Sequence, residues 1–368
     1  MSKVKWVRLG DYISPRNERN SDFRYGVELI EGVNSDGEFQ PTKAITDGID
    51  LKPYKAVWPG DIVYNPSRLN IGSLAYRESG MCIVSHLYQV FHVKEEFKNE
   101  LLPEFLLIWF KRDEFSRIVD YYNYGSQRAE FNLKKLGELI IPLPSLSEQQ
   151  KLVNAWKAFR EIKDQNEAKA APLMQLCQSY IQELKHKYPA QEIGPHLQFF
   201  REKNNDKEIS LEQGINISKE FITPQRSNSD LSSRIKVRTG QFAYCTQLNN
   251  ENVAIAYRTG PDCVVSPVYE VFEIKKESRE QLLPEYLFIW LSRPEFGRYV
   301  YWSSVGSAYE FLRFDNLYAY KIAFPPLDVQ RAIVNIYKCA NEAKQIAAEA
   351  DRLSREVCPA LLQHVINS

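Results

Sequence analysis

Asp262 in "PD" (261–262) and Glu273 and Lys275 in "EIK" (273–275) formally fit a metal-dependent nuclease pattern. Such a site uses two carboxylates to hold Mg²⁺ and a lysine to steer the attacking water. A parallel frame in the first half of the chain holds Gly80-Met81 and "HVK" (92–94) instead. Glu-x-Lys also arises easily where a charged strand runs into a loop, so the string is weak evidence for catalysis. Methyl transfer to adenine would need an Asn/Asp-Pro-Pro-aromatic loop and a glycine-rich cofactor turn. "YNPSR" (64–68) offers only Asn65-Pro66, and no Gly-x-Gly-x-x-Gly occurs. Six cysteines (82, 177, 245, 263, 339, 358) form no Cys-x-x-Cys pair, and the five histidines keep no ligand spacing with them, which argues against zinc. Reduced, structural thiols are the reading that remains.

A second group of side chains has a different chemistry. Asn65, Ser67, Arg68, Asn70, Ser126, Gln127 and Arg128 in the first half, and Thr246, Gln247, Asn249, Ser307 and Tyr309 in the second, are the types that hydrogen-bond base edges and phosphates. Arginine pairs with guanine, and asparagine or glutamine with adenine. Each alone reads equally well as a solvated turn residue. What singles them out as a set is where they fall.

The chain repeats itself. Displaced by 181 residues, positions 101–119 match 282–300 at 12 of 19 places, with "LLPEFLLIWF" (101–110) facing "LLPEYLFIWL" (282–291). "AYRESGMCIVSHLYQVF" (75–91) faces "AYRTGPDCVVSPVYEVF" (256–272), and "IPLPSLSEQQKLVN" (141–154) faces "IAFPPLDVQRAIVN" (322–335). "VELIEGVN" (27–34) faces "ISLEQGIN" (209–216). Self-similarity at this scale signals a duplicated unit. Within these frames the interiors differ: "NPSRLNIGSL" after "WPGDIVY" (58–64) against "CTQLNNENVA" after "VRTGQFAY" (237–244), and "YGSQRAEF" (124–131) against "VGSAYEF" (305–311).

Each copy has two parts. Residues 1–146 and 191–327 mix short β-like runs such as "GDIVYN" with Gly/Asn/Pro turns and one helical segment, the pattern of compact α+β modules. In that segment Pro103 suits the first helical turn, Glu104 the positive end of the helix dipole, and Leu106, Leu107 and Phe110 an apolar face, so Trp109 and Trp290 read as scaffold. Residues 147–190 and 328–368 read as long spacer helices. Positions 152, 156, 159, 163, 166, 170, 173, 177, 180 and 184 form a 4-3 seam with polar breaks at Lys163 and Asn166, and 333, 336, 340, 343, 347, 350, 354, 357 and 361 continue the rhythm. Pro172 and Pro359 are expected to kink or break these helices. The expected fold is α+β: two similar modules separated by long helices packing as an antiparallel coiled coil, with an internal pseudo-twofold repeat.

With 44% hydrophobic and 26% charged residues the composition is that of an ordinary soluble globular protein, too long for one core. No apolar run approaches a membrane span and the N-terminus lacks a signal-peptide core, which predicts a cytoplasmic protein without membrane contact. The 47 basic and 47 acidic residues cancel, so any DNA contact must rest on local clusters.

Together the repeat, the "YGSQR" loop and Pro144-x-Leu146-x-Glu148-Gln149-Gln150 at the helix entry resemble the DNA-specificity subunit of type I restriction-modification enzymes, over essentially the whole chain. The second copy departs from the motif, with Val329 where the first has Glu148. The resemblance implies that each module is a target-recognition domain reading one half of a split, non-palindromic site in double-stranded DNA. It implies that the helices act as spacer and docking surface for two methyltransferase subunits, with Glu148, Gln149, Gln150, Gln330 and Arg331 facing partners. Restriction/translocase subunits join the assembly, S-adenosylmethionine, ATP and Mg are carried by the partners, and this chain is not itself an enzyme. A duplicated adaptor that binds only protein, and a nuclease using Asp262, Glu273 and Lys275, are the alternative readings.

Overall fold

The computed structural model describes residues 4–42, 46–123, 130–225, 230–247, 252–304, 312 and 314–367. The chain divides into two compact units, Met1–Gln165 with Ile346–Ser368, and Asn166–Gln345.

In the first unit a four-stranded antiparallel sheet runs in the order Ile13–Pro15, Gln89–Val93, Asp61–Tyr64, Leu74–Tyr76. Three antiparallel ribbons accompany it: Lys55–Val57 with Cys82–Val84, Glu31–Val33 with Phe39–Pro41, and Lys5–Arg8 with Ile140–Leu143. The second unit has the same four sheets. Its large one is ordered Leu197–Phe200, Tyr269–Ile274, Phe242–Cys245, Ile255–Tyr257. Its ribbons are Ile235–Val237 with Cys263–Val265, Gly214–Ile215 with Phe221–Ile222, and Ala190–Glu192 with Lys321–Ala323. The duplication of sequence is a duplication of topology.

The apolar runs read as strands because both faces are covered. On Asp61–Tyr64, Ile62 and Tyr64 join a core with Phe91 and Val93, while Val63 points the other way into a second core with Val57, Cys82 and Val90. In the second unit Phe242 and Tyr244 face one core and Ala243 the other, with Cys263 and Val271.

Pro103 occupies the first turn of the helix Pro103–Phe110, with Glu104 beside it. Leu106, Leu107 and Phe110 are buried as expected, but so are Phe105, Ile108 and Trp109, so this helix has no solvent face. The sheet covers one side and the long helix the other, where Lys157 ion-pairs with Glu104 at 2.9 Å. The second copy repeats that clamp with Lys338 and Glu285 at 3.6 Å. Trp109 and Trp290 are buried beneath Arg112 and Arg293, whose guanidinium carbons lie 4.7 and 5.2 Å from the ring centres.

The long helices are Leu146–Lys187 and Leu327–Asn367. Helical structure runs through both Pro172 and Pro359, so neither proline breaks its helix. Ser145 and Glu148 form a capping box at the first: the Ser145 amide and hydroxyl donate to the Glu148 carboxylate at 3.3 and 3.1 Å, and the Glu148 amide donates to Ser145 Oγ at 3.4 Å.

In the first unit Leu152, Val153 and Trp156 share a core with Cys358 and Leu362, and Lys163 reaches Asp351 at 3.5 Å, so the two helices run antiparallel there. In the second unit Cys177, Ile181 and Leu184 share a core with Ile333 and Val334. Each module is therefore packed by the opening turns of the helix that follows it and by the closing turns of the other helix. Cys177 and Cys358, like Ile181 and Leu362, stand 181 residues apart and do the same job. The 4-3 seam slips by one residue in these closing turns. Tyr180 and Leu361 are exposed at 44% and 39%, and Ile181 and Leu362 are buried in their place. A straight helix drifts from 3.5-residue spacing, and here its last turns face a globular core as well as another helix.

Candidate nucleic-acid interface

The first divergent stretch of each copy connects two paired strands of the large sheet. In the first unit, residues 65–73 link the paired strands Asp61–Tyr64 and Leu74–Tyr76. Their backbone is pinned from within. The Asn65 amide donates to Ser73 O at 3.0 Å, the Arg68 amide to Asn65 O at 3.0 Å, and the Ser73 amide to Arg68 O at 3.2 Å. Asn65 Oδ1 accepts from the Ser67 amide at 3.0 Å, an Asx turn. Leu69 anchors the loop in the core. Gly72 takes φ 91°, and a Cβ there would lie 2.4 Å from Ser35 O.

A rigid frame leaves Ser67 and Arg68 exposed. Asn65 and Asn70 are half-buried, and Asn70 Nδ2 donates to Asp120 Oδ1 at 2.9 Å, tying the loop to the helix Asp113–Asn123. In the second unit, residues 246–254 link Phe242–Cys245 and Ile255–Tyr257. The Cys245 amide donates to Ala254 O at 2.8 Å, Thr246 Oγ1 donates to Val268 O at 3.1 Å, and Val253 is the buried anchor. Thr246 is half-buried and Gln247 exposed.

Phe131, at the end of the second divergent stretch, and Leu312, just past its counterpart, are bonded to the first. The amide of buried Phe131 donates to Pro66 O at 3.0 Å, and that of buried Leu312 donates to Thr246 O at 2.8 Å. In each module, stretches about 60 residues apart in sequence thus meet at the end of one strand. Ser126, Gln127, Arg128, Asn249, Ser307 and Tyr309 lie outside the described residues. The sequence pointed to this site only by internal divergence. The hydrogen bonds that join its two stretches are made by backbone and had no sequence signal.

Beside it, Lys219 in the turn between Gly214–Ile215 and Phe221–Ile222 has φ 67° and donates its amine to Val253 O at 2.8 Å. Burial without a carboxylate partner lowers its pKa to about 8.

The nuclease constellation does not form. Asp262 accepts from the Thr239 amide at 2.8 Å and from Arg238 at 3.3 Å, Gln241 donates to Glu273 at 3.4 Å, and Lys275 donates to Pro195 O at 2.7 Å. Among the described residues no group of three or more His, Cys, Asp or Glu side chains is placed to hold a metal ion.

At the helix entries the expected partner-facing residues separate. Gln149 is fully buried: Nε2 donates to Glu100 O at 2.7 Å and Pro144 O at 2.9 Å, and Oε1 accepts from the Leu102 amide at 2.9 Å. Gln330 repeats this with Gln281 O, Pro325 O and the Leu283 amide at 2.7, 2.8 and 2.9 Å. Neither has surface to offer a partner, so both are corrected to internal clamps that lock the helix onto its module. Glu148 is held in its capping box and half-buried, while Gln150 and Arg331 are exposed.

Residues 17–171 match the family model described as the type I restriction modification DNA specificity domain. That match spans less than half of the chain. The chain's whole length takes the fold of a solved S subunit. The S subunit of a type I restriction-modification system from M. genitalium aligns over 99% of this chain and 97% of its own, with a TM-score of 0.65 and 13% identity. The HsdS subunit from Thermoanaerobacter tengcongensis aligns over 97% of this chain and 96% of its own, with a TM-score of 0.39 and 16% identity. No curated protein matches the chain by sequence. No helix among the described residues is long and apolar enough to cross a membrane.

Proposed function

We propose that this chain is a DNA specificity subunit that reads a bipartite, non-palindromic site in double-stranded DNA, one half with residues 1–146 and the other with residues 191–327. The observation that supports this is that in each module a polar loop whose sequence differs between the copies leaves the end of one strand of a shared scaffold, with the Phe131 or Leu312 amide bonded onto it. A matched frame with unmatched contents is what two different half-sites require. Exposed Ser67 and Arg68 in one module and Gln247 in the other are the described residues best placed to reach base edges.

The chain supplies no catalytic group. The spacer helices set the interval between half-sites and dock two methyltransferase subunits, which carry S-adenosylmethionine. Restriction/translocase subunits bring ATP and Mg, and the assembly works in the cytoplasm. Methylating a base needs it out of the stack, which a protein holding the duplex on both sides of the target favours. Co-expression with its cognate methyltransferase chain, followed by mapping of methylated bases across the host genome, tests the reading. A split motif with a fixed gap is expected. A complex that forms yet methylates at a continuous motif, or at none, refutes it.

A further inference from the structure

The proposed function assigns different DNA halves to the two modules, so surfaces that read bases should differ between them. An exposed surface that is the same in both needs another explanation. The helix Asp113–Asn123 has its counterpart in Pro294–Ser304. Phe115 and Val119 turn inward, as do Phe296 and Val300. One face points away from the core: Glu114, Arg117 and Tyr121, spaced i, i+3, i+7, lie together on it. The same positions in the second copy are Glu295, Arg298 and Trp302.

The two faces share an ion pair, although Glu295 also pairs with Arg293 at 3.1 Å. Arg117 pairs with Glu114 at 3.4 Å and Arg298 with Glu295 at 3.6 Å. Tyr121 is 79% exposed and Trp302 75%, among the most exposed large side chains described. Elsewhere on the outward side the copies have drifted, with Asp113 replaced by Pro294 and Asp120 by Tyr301. Two things are common to both halves of such a complex: the phosphate backbone and a partner subunit present twice. A retained glutamate repels phosphate. An arginine beside an exposed Tyr or Trp is instead the composition of a protein-interface anchor.

We propose that this helix face is a protein-docking face used twice, once in each module, by two copies of one partner chain. This rests on the specificity-subunit reading, and the occupant is the methyltransferase subunit. Tyr121 and Trp302 insert into the same pocket on each copy, and the Glu-Arg pair beside each ring meets the polar rim of that pocket.

The test uses the full chain with its methyltransferase chain, read by native mass spectrometry and titration. Variants are R117E/Y121A, R298E/W302A and the combination of all four changes. These side chains are exposed, and an unchanged melting temperature confirms folding. Each pair is expected to weaken one of the two docking events by about 30-fold, the scale of an interface anchor. A one-to-two complex then becomes one-to-one, and the fourfold variant binds neither copy at that concentration. A labelled duplex carrying the mapped site should bind the free variant chains as it binds wild type. Unchanged stoichiometry and affinity in all three variants overturns the proposal. Lost DNA binding with stoichiometry intact also overturns it and gives the face to DNA. Absence of a split methylation motif with wild-type protein instead refutes the specificity reading, so the two failures are distinguishable.

Discussion

Gln149→Met tests how the modules are held to the helices. Methionine matches the length of glutamine and keeps the site filled, so the loss is confined to hydrogen bonds. Three are removed at a fully buried position: the bond accepted from the Leu102 amide and those donated to the Glu100 and Pro144 carbonyls. An orphaned buried amide costs about 2 kcal/mol and each carbonyl that loses its donor about 1 kcal/mol, giving about 4 kcal/mol for the substitution. Gln330→Met breaks the same three bonds in the second unit and should cost a similar amount. The two sites share no partner, so the double variant should be additive to within about 0.5 kcal/mol. Urea unfolding with linear extrapolation measures each value. A cost below about 1 kcal/mol for Gln149→Met, or a stable variant that loses only partner binding, would show that the glutamine is not an internal clamp.

Gly72→Ala should cost about 2 kcal/mol or more, since alanine must take φ 91° with its methyl against Ser35 O; loss of folded protein in a thermal melt checks it. Lys219 holds its proton less tightly folded than unfolded, with a pKa near 8 against the ordinary 10.5. Unfolding therefore takes up a proton between those values, and stability should rise with pH across that window by up to about 3 kcal/mol. Urea midpoints from pH 7.5 to 10 should climb more steeply in wild type than in Lys219→Met, and equal slopes would remove the assignment. Arg68→Ala should relax one half-site only, at about 1–3 kcal/mol of discrimination, visible as degeneracy at a position in the methylation map.

The duplicated fold was legible because the apolar phrases around Pro103 and Pro284 fix the register between copies. Inward residues such as Leu106 and Leu287 cannot drift without disturbing a core, so the match survives there. The interface was legible only as a gap in that match. Its closure by the Phe131 and Leu312 amides was not, because any residue type offers an amide.

Gln149 misled for a related reason. A polar residue on a helix entry reads as surface, and nothing in the sequence shows that the carbonyls of residues 100 and 144 lie within its reach. The helix seam likewise shows a period but not its partner. Nothing in residues 147–190 says that their closing turns serve the module that follows, which moves burial from Tyr180 to Ile181.

Each module is expected to read its own half of the site. Exchanging residues 191–327 for the matching module of another specificity subunit, then mapping methylated bases, measures this directly. One half of the motif should change while the other half and the gap stay as they were. A change in both halves, or in neither with methylation intact, would contradict it.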